Sequence, residues 1–590
     1  MLVALAGVLA VYAGQLRIGL YYDDYGFVRP WSLIDLHRVW YGSWDPTGIE
    51  PTFYRPLAAY LYAGRFWLFG LNATAMHAVS IAGHVLCAVL VGWFLRRERS
   101  GAAFALFGVW LYAVFPAFPY AQVSWLTNQI HLAESIVVLG ALLVWQVVRD
   151  RTLIWWTPIA LLAIAVFLIK EDGVMLLPAI VSLTLLRSWL DDSRSLRRWL
   201  PHAAIALLVA TGLMALRAER LGRLGGYGWP SIGQAEINYV KGIQETLLLW
   251  PTRPRWQALA SAIAIAALLG GLVTTRWRHG RRVLWTIWAG IALLLCRNLT
   301  SLLLPSTEPL VAWQPLAGGI AVSALTIGVG VAASYSGRSV RFVVGTGLVL
   351  FFWFNLPFVL VSKREQYHLL GLAAVLVLAG AAQALYERIE RPMTRRAGAV
   401  LLLAATVPFL LLARHLGADF LPCAPMVAAD NISAWWVVPD EIKSYVARRS
   451  EACHSGAAVP PLSELPLVSW GVYDQQRDPG EPAYRWTADQ AVLLARRATT
   501  TMTLALRQPE ATTARPVVVT IDSDSRHTVV TLASKDWQYA TVPLSPGLLA
   551  WIRAGQRVDI RVTPWFVPAV VDPRSTDVRR RGVELRVDLR

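Results

Sequence analysis

The sequence predicts a mostly α-helical, polytopic membrane protein with a β-rich module at its C-terminal end. Of the 590 residues, 56% are hydrophobic and only 16% are charged, and the mean hydropathy is +0.46. Runs of roughly 17 to 25 apolar residues recur between charged residues, which matches the length a helix needs to cross a bilayer. From about Ala418 these runs stop and short β-branched runs begin, which predicts the β module.

The apolar runs predict the order of the membrane spans. The first covers Leu2 to Leu20 and lacks the basic start and the cleavage site of a secretory signal, so we expect a retained helix. Further spans are predicted around residues 84, 109, 139, 160, 180, 208, 265, 291, 322, 350, 376 and 405. Together they make about 13 transmembrane helices.

Short arginine clusters indicate which side each loop faces. RRER at Arg96, RWRHGRR at Arg276 and RIERPMTRR at Arg388 fall in alternate gaps between spans. Because cytoplasmic loops are rich in Arg and Lys, these gaps are predicted to be cytoplasmic, which places the first loop and the chain from residue 415 on the exported side. The net charge of +17 is explained by these scattered loops and their attraction to headgroups. No basic stripe is present, so nucleic-acid binding is not expected.

Residues 1–414 are therefore predicted to form a transmembrane module, and residues 415–590 an exported one. The exported part begins with a mixed segment that includes a helix in DEIKSYVARR at Asp440. A β-sandwich of roughly 100 residues follows, with strands predicted in ARPVVVTIDSD, HTVVTLAS, YATVPLS and RVDIRVTPWF. Cys423 and Cys453 lie on the side where disulfides persist, and both a disulfide and two free thiols stay open.

The first predicted exported loop contains two adjacent carboxylates, Asp23 and Asp24, in GLYYDDYGFV. Adjacent aspartates are also common in a solvated turn, so their surroundings must decide between a turn and a catalytic site. A carboxylate beside the membrane interface can act as a general base toward an acceptor hydroxyl.

Cations and polar groups occur at the other exported span ends. Three of them can reach a phosphate at headgroup depth, with a snorkelling role as the alternative for each: Arg55, Lys170 and Arg364. Glu171 is expected to pair with Lys170, to bind a sugar hydroxyl or to help place Asp23. His131, at the exported start of the fourth span, is a candidate contact to a donor.

In this order, the segments resemble the GT-C class of polyprenyl-phosphate-dependent membrane glycosyltransferases, nearest to its protein mannosyltransferase and TMTC-like branch. The motifs that carry the likeness are YYDDYGFV, YRPL at Tyr54, the pair His77 and His84, and KED at Lys170. Ser80 stands where Asn is common, and Asn128 and Gln129 replace a Gly-Arg pair. The likeness extends to about residue 190 and fades toward residue 400.

The resemblance implies an inverting hexosyl- or pentosyltransferase. Such an enzyme moves a sugar from a polyprenyl-phosphate donor to an acceptor hydroxyl on a cell-envelope glycan, a lipid or a protein. Asp23 or Asp24 would be catalytic, and five residues would contact the donor: Arg55, Lys170, Glu171, His131 and Arg364. No metal ligand is assigned, although a divalent cation is left open, and the implied location is the bacterial inner membrane.

The last part of the chain has its own likeness. The segments YRWTADQAVLLA at Tyr484 and WFVPAVVDPRSTDVRRRGVELRVDL at Trp565 resemble the edges of jelly-roll modules in bacterial envelope glycan enzymes. This implies a carbohydrate-facing platform, with a packing lid as the alternative. Two other functions stay open for the whole chain: a transporter or flippase of lipid-linked sugar, and a non-catalytic envelope assembly protein.

Overall fold

The computed structural model describes much of the helical part of the chain and the strands of the C-terminal module. The residues described are 2–17, 19–20, 24–45, 53–115, 117–149, 151, 156–191, 200–222, 336–359, 368–387, 400, 406–407, 410–411, 413–414, 438–455, 462, 465–473, 483–496, 498–508, 515–524, 526–544, 548–553, 555–565 and 581–589.

The N-terminal part is a bundle of α-helices. They are α1 (Leu2–Tyr12), α2 (Asp24–Phe27), α3 (Leu33–Arg38), α4 (Pro56–Phe69), α5 (Ala73–Arg97), α6 (Ala102–Val114), α7 (Gln129–Val148), α8 (Thr157–Ile169), α9 (Leu176–Leu190), α10 (Leu200–Leu221), α11 (Arg338–Asn355) and α12 (His368–Glu387). A short 3-10 turn, Glu171–Met175, leads into α9.

Among the described residues, four helices are long and apolar enough to cross a membrane: Ala73–Arg97, Gln129–Val148, Glu171–Leu190 and Leu200–Leu221. They coincide with predicted spans. The first predicted span is shorter than expected, because its apolar helical stretch ends at Arg17. The spans predicted near residues 265, 291 and 322 lie outside the described residues, so the count of about 13 stays a prediction.

Close packing holds the helices together. The core buries large side chains completely, including Phe94, Trp145 and Phe342. Where α11 crosses α12, a Cβ on Gly347 would lie 2.7 Å from the carbonyl oxygen of Ala373, so a larger residue would force the two helices apart.

The two ends of the bundle differ in their polar groups. At one end, the buried Glu98 pairs with Arg149 at 3.0 Å and with Arg187 at 3.3 Å. At the other end lie α2, the start of α4 and the turn between α8 and α9. The side of the membrane that each end faces stays a prediction.

In its described residues, the C-terminal module contains one long helix, eight strands and one short helix. They are α13 (Asp440–Ser455), β1 (Leu467–Val472), β2 (Arg485–Arg496), β3 (Thr501–Arg507), β4 (Val517–Ser523), β5 (His527–Leu532), β6 (Gln538–Pro543), α14 (Leu548–Arg553), β7 (Gly555–Thr563) and β8 (Glu584–Leu589). The strand order is β5-β4-β7-β2-β8-β3-β6, and β1 also pairs with β2.

All of the strand pairs are antiparallel, and β2 joins the two halves of the sheet. Its first residues pair with β8, whereas its C-terminal half pairs with β7. The predicted β-rich module is thus confirmed, while its jelly-roll topology stays a prediction. Cys423 and the side chain of Cys453 lie outside the described residues, as does the predicted boundary at residue 415.

Candidate active site

The acidic loop is fixed by a residue from the segment before α7. Asp24 begins α2 and is completely buried. Its Oδ1 accepts hydrogen bonds from the backbone amide of Thr127 at 2.6 Å and from the Thr127 hydroxyl at 2.7 Å. The carbonyl oxygen of Thr127 in turn accepts a hydrogen bond from the Tyr62 hydroxyl at 2.5 Å. Asp23 lies outside the described residues.

The start of α4 is bound to the turn after α8. The Nε of Arg55 lies 2.8 Å from Oε2 of Glu171, and the backbone amide of Tyr54 donates to Oε1 at 2.7 Å. Arg217, from α10, approaches the same Oε1 at 3.3 Å. Glu171 therefore joins three segments that are far apart in sequence, and two arginines share its single negative charge.

Lys170 lies in a buried polar cluster inside the bundle. Its ammonium contacts the carboxylate of Asp172 and lies 3.6 Å from Oε2 of Glu134. That same oxygen lies 2.8 Å from Nε2 of His368. The rings of His131 and His368 stack with centroids 4.5 Å apart. Lys170 and His131 thus belong to one cluster, and two carboxylates already face the lysine.

The two histidines of α5 bind partners inside the bundle. A ring nitrogen of His77 lies 3.0 Å from a backbone carbonyl, and one of His84 lies 2.9 Å from Oε1 of Gln122. Gln129 and Ser80, which depart from the pattern of the resembled family, contact each other. In the part of the chain that the structure describes, no group of three or more His, Cys, Asp or Glu side chains could hold a metal ion.

Most of the predicted site residues lie at the end of the bundle that carries Asp24, whereas Arg364 lies outside the described residues. Motif reasoning missed Arg65, which stands in the middle of the apolar stretch YLYAGRFWLF of α4. Burial lowers the pKa of Arg65 to about 10, and the nearby Tyr62 and Asp24 act in the opposite direction. The guanidinium therefore stays charged at neutral pH and forms part of the electrostatic surroundings of the acidic loop.

The C-terminal module packs against this acidic loop. In α13, Nη1 of Arg449 donates to the carbonyl oxygen of Leu20 at 3.2 Å and to the Tyr25 hydroxyl at 3.4 Å. Phe66 of α4 meets Trp470 of β1 edge to face, with ring centroids 5.0 Å apart. The module thus covers both the loop and the outer side of α4.

A second contact joins α14 to the end of α4. Asn72 donates to the carbonyl oxygen of Ile552 at 2.7 Å, and Nε of Arg553 donates to the carbonyl oxygen of Trp67 at 2.8 Å. Because these hydrogen bonds involve backbone groups, they fix the position of the module over the site.

The fold and the site define a membrane-embedded helical bundle whose polar end is covered by a β-rich module. No family model and no curated protein matches the chain. The crystal structure of the Archaeoglobus fulgidus oligosaccharyltransferase in complex with Zn and sulfate is similar, with 14% identity and a TM-score of 0.36, over 78% of this chain and 57% of that one.

Two further structures of that archaeal protein give similar values. The complex of oligosaccharyltransferase AglB with an inhibitory peptide and a dolichol-phosphate has 14% identity and a TM-score of 0.36, over 78% of this chain and 59% of that one. The form tethered by a disulfide bond to an acceptor peptide with the NVT sequon has 14% identity and a TM-score of 0.37, over 76% of this chain and 58% of that one. The chain thus spans 57% to 59% of the length of these proteins.

Proposed function

We propose that the protein is an inverting glycosyltransferase of the GT-C class in the bacterial inner membrane. It transfers a sugar from a polyprenyl-phosphate donor to a hydroxyl of an envelope glycan, lipid or protein at the exported face. One observation carries the proposal: the acidic loop, the start of α4 and the turn after α8 meet at one end of the bundle. Asp24 binds Thr127 at 2.6 Å, and Arg55 binds Glu171 at 2.8 Å.

The two aspartates have different roles in this proposal. Asp24 is buried and its Oδ1 accepts two short hydrogen bonds, so it suits the anchoring of the loop. Asp23 is then the general base that removes the proton of the acceptor hydroxyl. The acceptor oxygen attacks the anomeric carbon, the bond from that carbon to the phosphate oxygen breaks, and the phosphate leaves with the electron pair. A single displacement of this kind inverts the anomeric centre.

The remaining predicted residues hold the donor or orient the groups that hold it. Arg55 and Lys170 bring positive charge to this end of the bundle, and each is paired with carboxylates that fix its position. Glu171 orients Arg55, and His131 is proposed to contact the donor. Arg364 is proposed as a further phosphate contact. A carboxylate beside the reacting sugar also stabilises the positive charge of the oxocarbenium-like transition state.

The test compares Asp23→Asn and Asp24→Asn in sugar transfer by the purified protein in liposomes. Loss of the general base is expected to lower the rate by about 100-fold or more in Asp23→Asn with an unchanged melting temperature. Asp24→Asn is expected to lower the melting temperature as well. Asp191→Asn, at the opposite end of the bundle, is the control and is expected to transfer at the wild-type rate.

Two results would contradict the proposal. Full activity of both aspartate variants would remove the carboxylates from catalysis. Movement of intact lipid-linked sugar across the vesicle membrane without transfer would assign the protein as a flippase instead.

A further inference from the structure

Arg65 is a guanidinium whose charge is not balanced by a direct partner. Its Nη1 is buried and has no hydrogen-bond partner. Within the ranges that the structure describes, the Arg65 side chain makes neither a hydrogen bond nor an ion pair, while part of it stays accessible to solvent. A buried charge without a partner is costly, because it has lost water and gained no replacement.

Several other cations around the site have a direct carboxylate partner. Arg55 and Arg217 share Glu171, and Lys170 contacts two carboxylates. Arg557, which lies over the Phe66 ring, binds Asp559 through two nitrogens. Arg29 has two buried nitrogens without a hydrogen-bond partner, but its guanidinium stacks on Trp31 at 4.4 Å. Arg65 differs from these cations because its guanidinium has neither a carboxylate partner nor an aromatic ring beneath it among the described residues, so it is available to an anion.

The position of Arg65 indicates which anion it would meet. It lies one helical turn after Tyr62 in α4, and the Tyr62 hydroxyl binds Thr127, the residue that holds Asp24. The adjacent Phe66 packs against Trp470, so this part of α4 lies beside the C-terminal module. A phosphate here would be close to the acidic loop that Asp24 anchors, and a guanidinium can bind two phosphate oxygens at once.

We propose that Arg65 binds the phosphate of the lipid-linked donor. This inference rests on the proposed function and assigns the ligand contact of that site. The phosphate neutralises Arg65 in the bound state, and the guanidinium then stabilises the charge that develops on the phosphate as the sugar departs.

The test measures dissociation constants for the purified full-length protein in nanodiscs. The probes are undecaprenyl phosphate, undecaprenol, which lacks the phosphate, and inorganic phosphate. Arg65→Gln is expected to weaken binding of undecaprenyl phosphate by roughly 10- to 150-fold, and Arg65→Lys to recover part of it. Undecaprenol binding is expected to be equal in all variants. Arg557→Gln is the matched control, and its affinity for undecaprenyl phosphate is expected to equal that of the wild type.

The melting temperature of the ligand-free protein separates binding from packing. Removal of an uncompensated charge is expected to leave the melting temperature of Arg65→Gln unchanged or to raise it. A lower melting temperature with an unchanged dissociation constant for undecaprenyl phosphate would overturn the inference. Wild-type protein that does not bind undecaprenyl phosphate would overturn it too.

The probes also distinguish the source of the phosphate. If Arg65→Gln binds inorganic phosphate more weakly than the wild type but binds undecaprenyl phosphate equally well, the assignment of Arg65 to the lipid phosphate is wrong. Because no sugar is present in the binding measurement, the inference and the proposed function can fail separately. If Arg65 binds undecaprenyl phosphate but the protein transfers no sugar, only the proposed function is wrong. If the protein transfers sugar and its affinity for undecaprenyl phosphate is equal in wild type and Arg65→Gln, only the inference is wrong.

Discussion

Thr127 holds Asp24 through both of its donors, the backbone amide at 2.6 Å and the hydroxyl at 2.7 Å, and both point to the same carboxylate oxygen. The two residues are 103 positions apart in sequence. The Tyr62 hydroxyl of α4 donates to the carbonyl oxygen of Thr127, so α4 holds Thr127 in place and Thr127 holds Asp24. The acidic loop is therefore oriented by the bundle rather than by its own sequence.

Thr127→Val is expected to slow sugar transfer. Valine keeps the shape and the backbone amide but removes the hydroxyl, which is a hydrogen bond to a charged group worth about 1.5 to 3 kcal/mol. This corresponds to a rate roughly 10- to 150-fold lower, if the loop must hold its orientation for reaction. Thr127→Ser keeps the hydroxyl and is expected to be close to wild type. Equal kcat/KM in Thr127→Val and wild type would show that this hydrogen bond does not matter for transfer.

Glu171→Gln is expected to destabilise the protein and to weaken its use of the donor. The change leaves Arg55 and Arg217 without their shared carboxylate, and breaking a buried ion pair costs about 3 to 5 kcal/mol. The comparison variant is Glu98→Gln, which breaks the arginine pairs at the opposite end of the bundle. Both are expected to melt earlier, and only Glu171→Gln to raise the KM for the donor. An equal rise in both would mean that the effect comes from stability alone.

Arg449→Met is expected to loosen the acidic loop from the module. Loss of the contacts to Leu20 and Tyr25 lowers the cost of local opening by about 1 to 3 kcal/mol. Chymotrypsin cleavage after Tyr25 is therefore expected to be roughly 5- to 150-fold faster. Arg448→Met changes the neighbouring, exposed arginine of the same helix and serves as the control. Cleavage at the wild-type rate in Arg449→Met would exclude this coupling.

Local patterns in the sequence predicted much of the fold. The β-branched runs at Val517, His527 and Gln538 are β4, β5 and β6, and the segment at Asp440 is α13, because alternation and helical periodicity are local properties. The motifs also singled out Asp24, Arg55 and Glu171, which lie at one end of the bundle, and their role in a site stays a prediction.

The partners of these residues could not be predicted in this way. Thr127 and Tyr62 carry no motif, and their contacts to each other and to Asp24 depend on how α4 and α7 pack. Lys170 was expected to face a phosphate, and packing places Glu134 and Asp172 beside it. The single charge of Arg65 within the apolar stretch YLYAGRFWLF is the signal that would have singled it out.

The C-terminal end of the chain is expected on the exported side of the membrane. About 13 crossings from a cytoplasmic N-terminus end there, and the arginine clusters agree. In a protein whose four native cysteines are replaced by alanine, Arg590→Cys is expected to react with a membrane-impermeant thiol reagent in intact cells, while Arg97→Cys, in the predicted cytoplasmic cluster, reacts only after lysis. The reverse pattern would move the candidate site to the cytoplasmic side.

Lys170 is expected to stabilise the bundle through its two carboxylates. Lys170→Met leaves Glu134 and Asp172 facing each other in a buried cluster, which is expected to cost about 3 to 5 kcal/mol of unfolding free energy. The double variant Lys170→Met with Asp172→Asn also loses one negative charge. Its loss of unfolding free energy is expected to be smaller than the sum of the losses in Lys170→Met and Asp172→Asn. The coupling is expected to be about 0.5 to 3 kcal/mol.

A donor-binding role for Lys170 predicts a different result from the same four proteins. The affinity for undecaprenyl phosphate would then fall equally in Lys170→Met and in the double variant, because the phosphate contact is lost in both. Melting temperature and the dissociation constant for this lipid, measured on wild type, both single variants and the double variant, separate the two roles. If the stability changes of the two single variants add up in the double variant, and both proteins that lack Lys170 lose lipid affinity, Lys170 belongs to the donor site. If the double variant is more stable than the sum predicts and lipid affinity is unchanged, Lys170 belongs to the buried cluster.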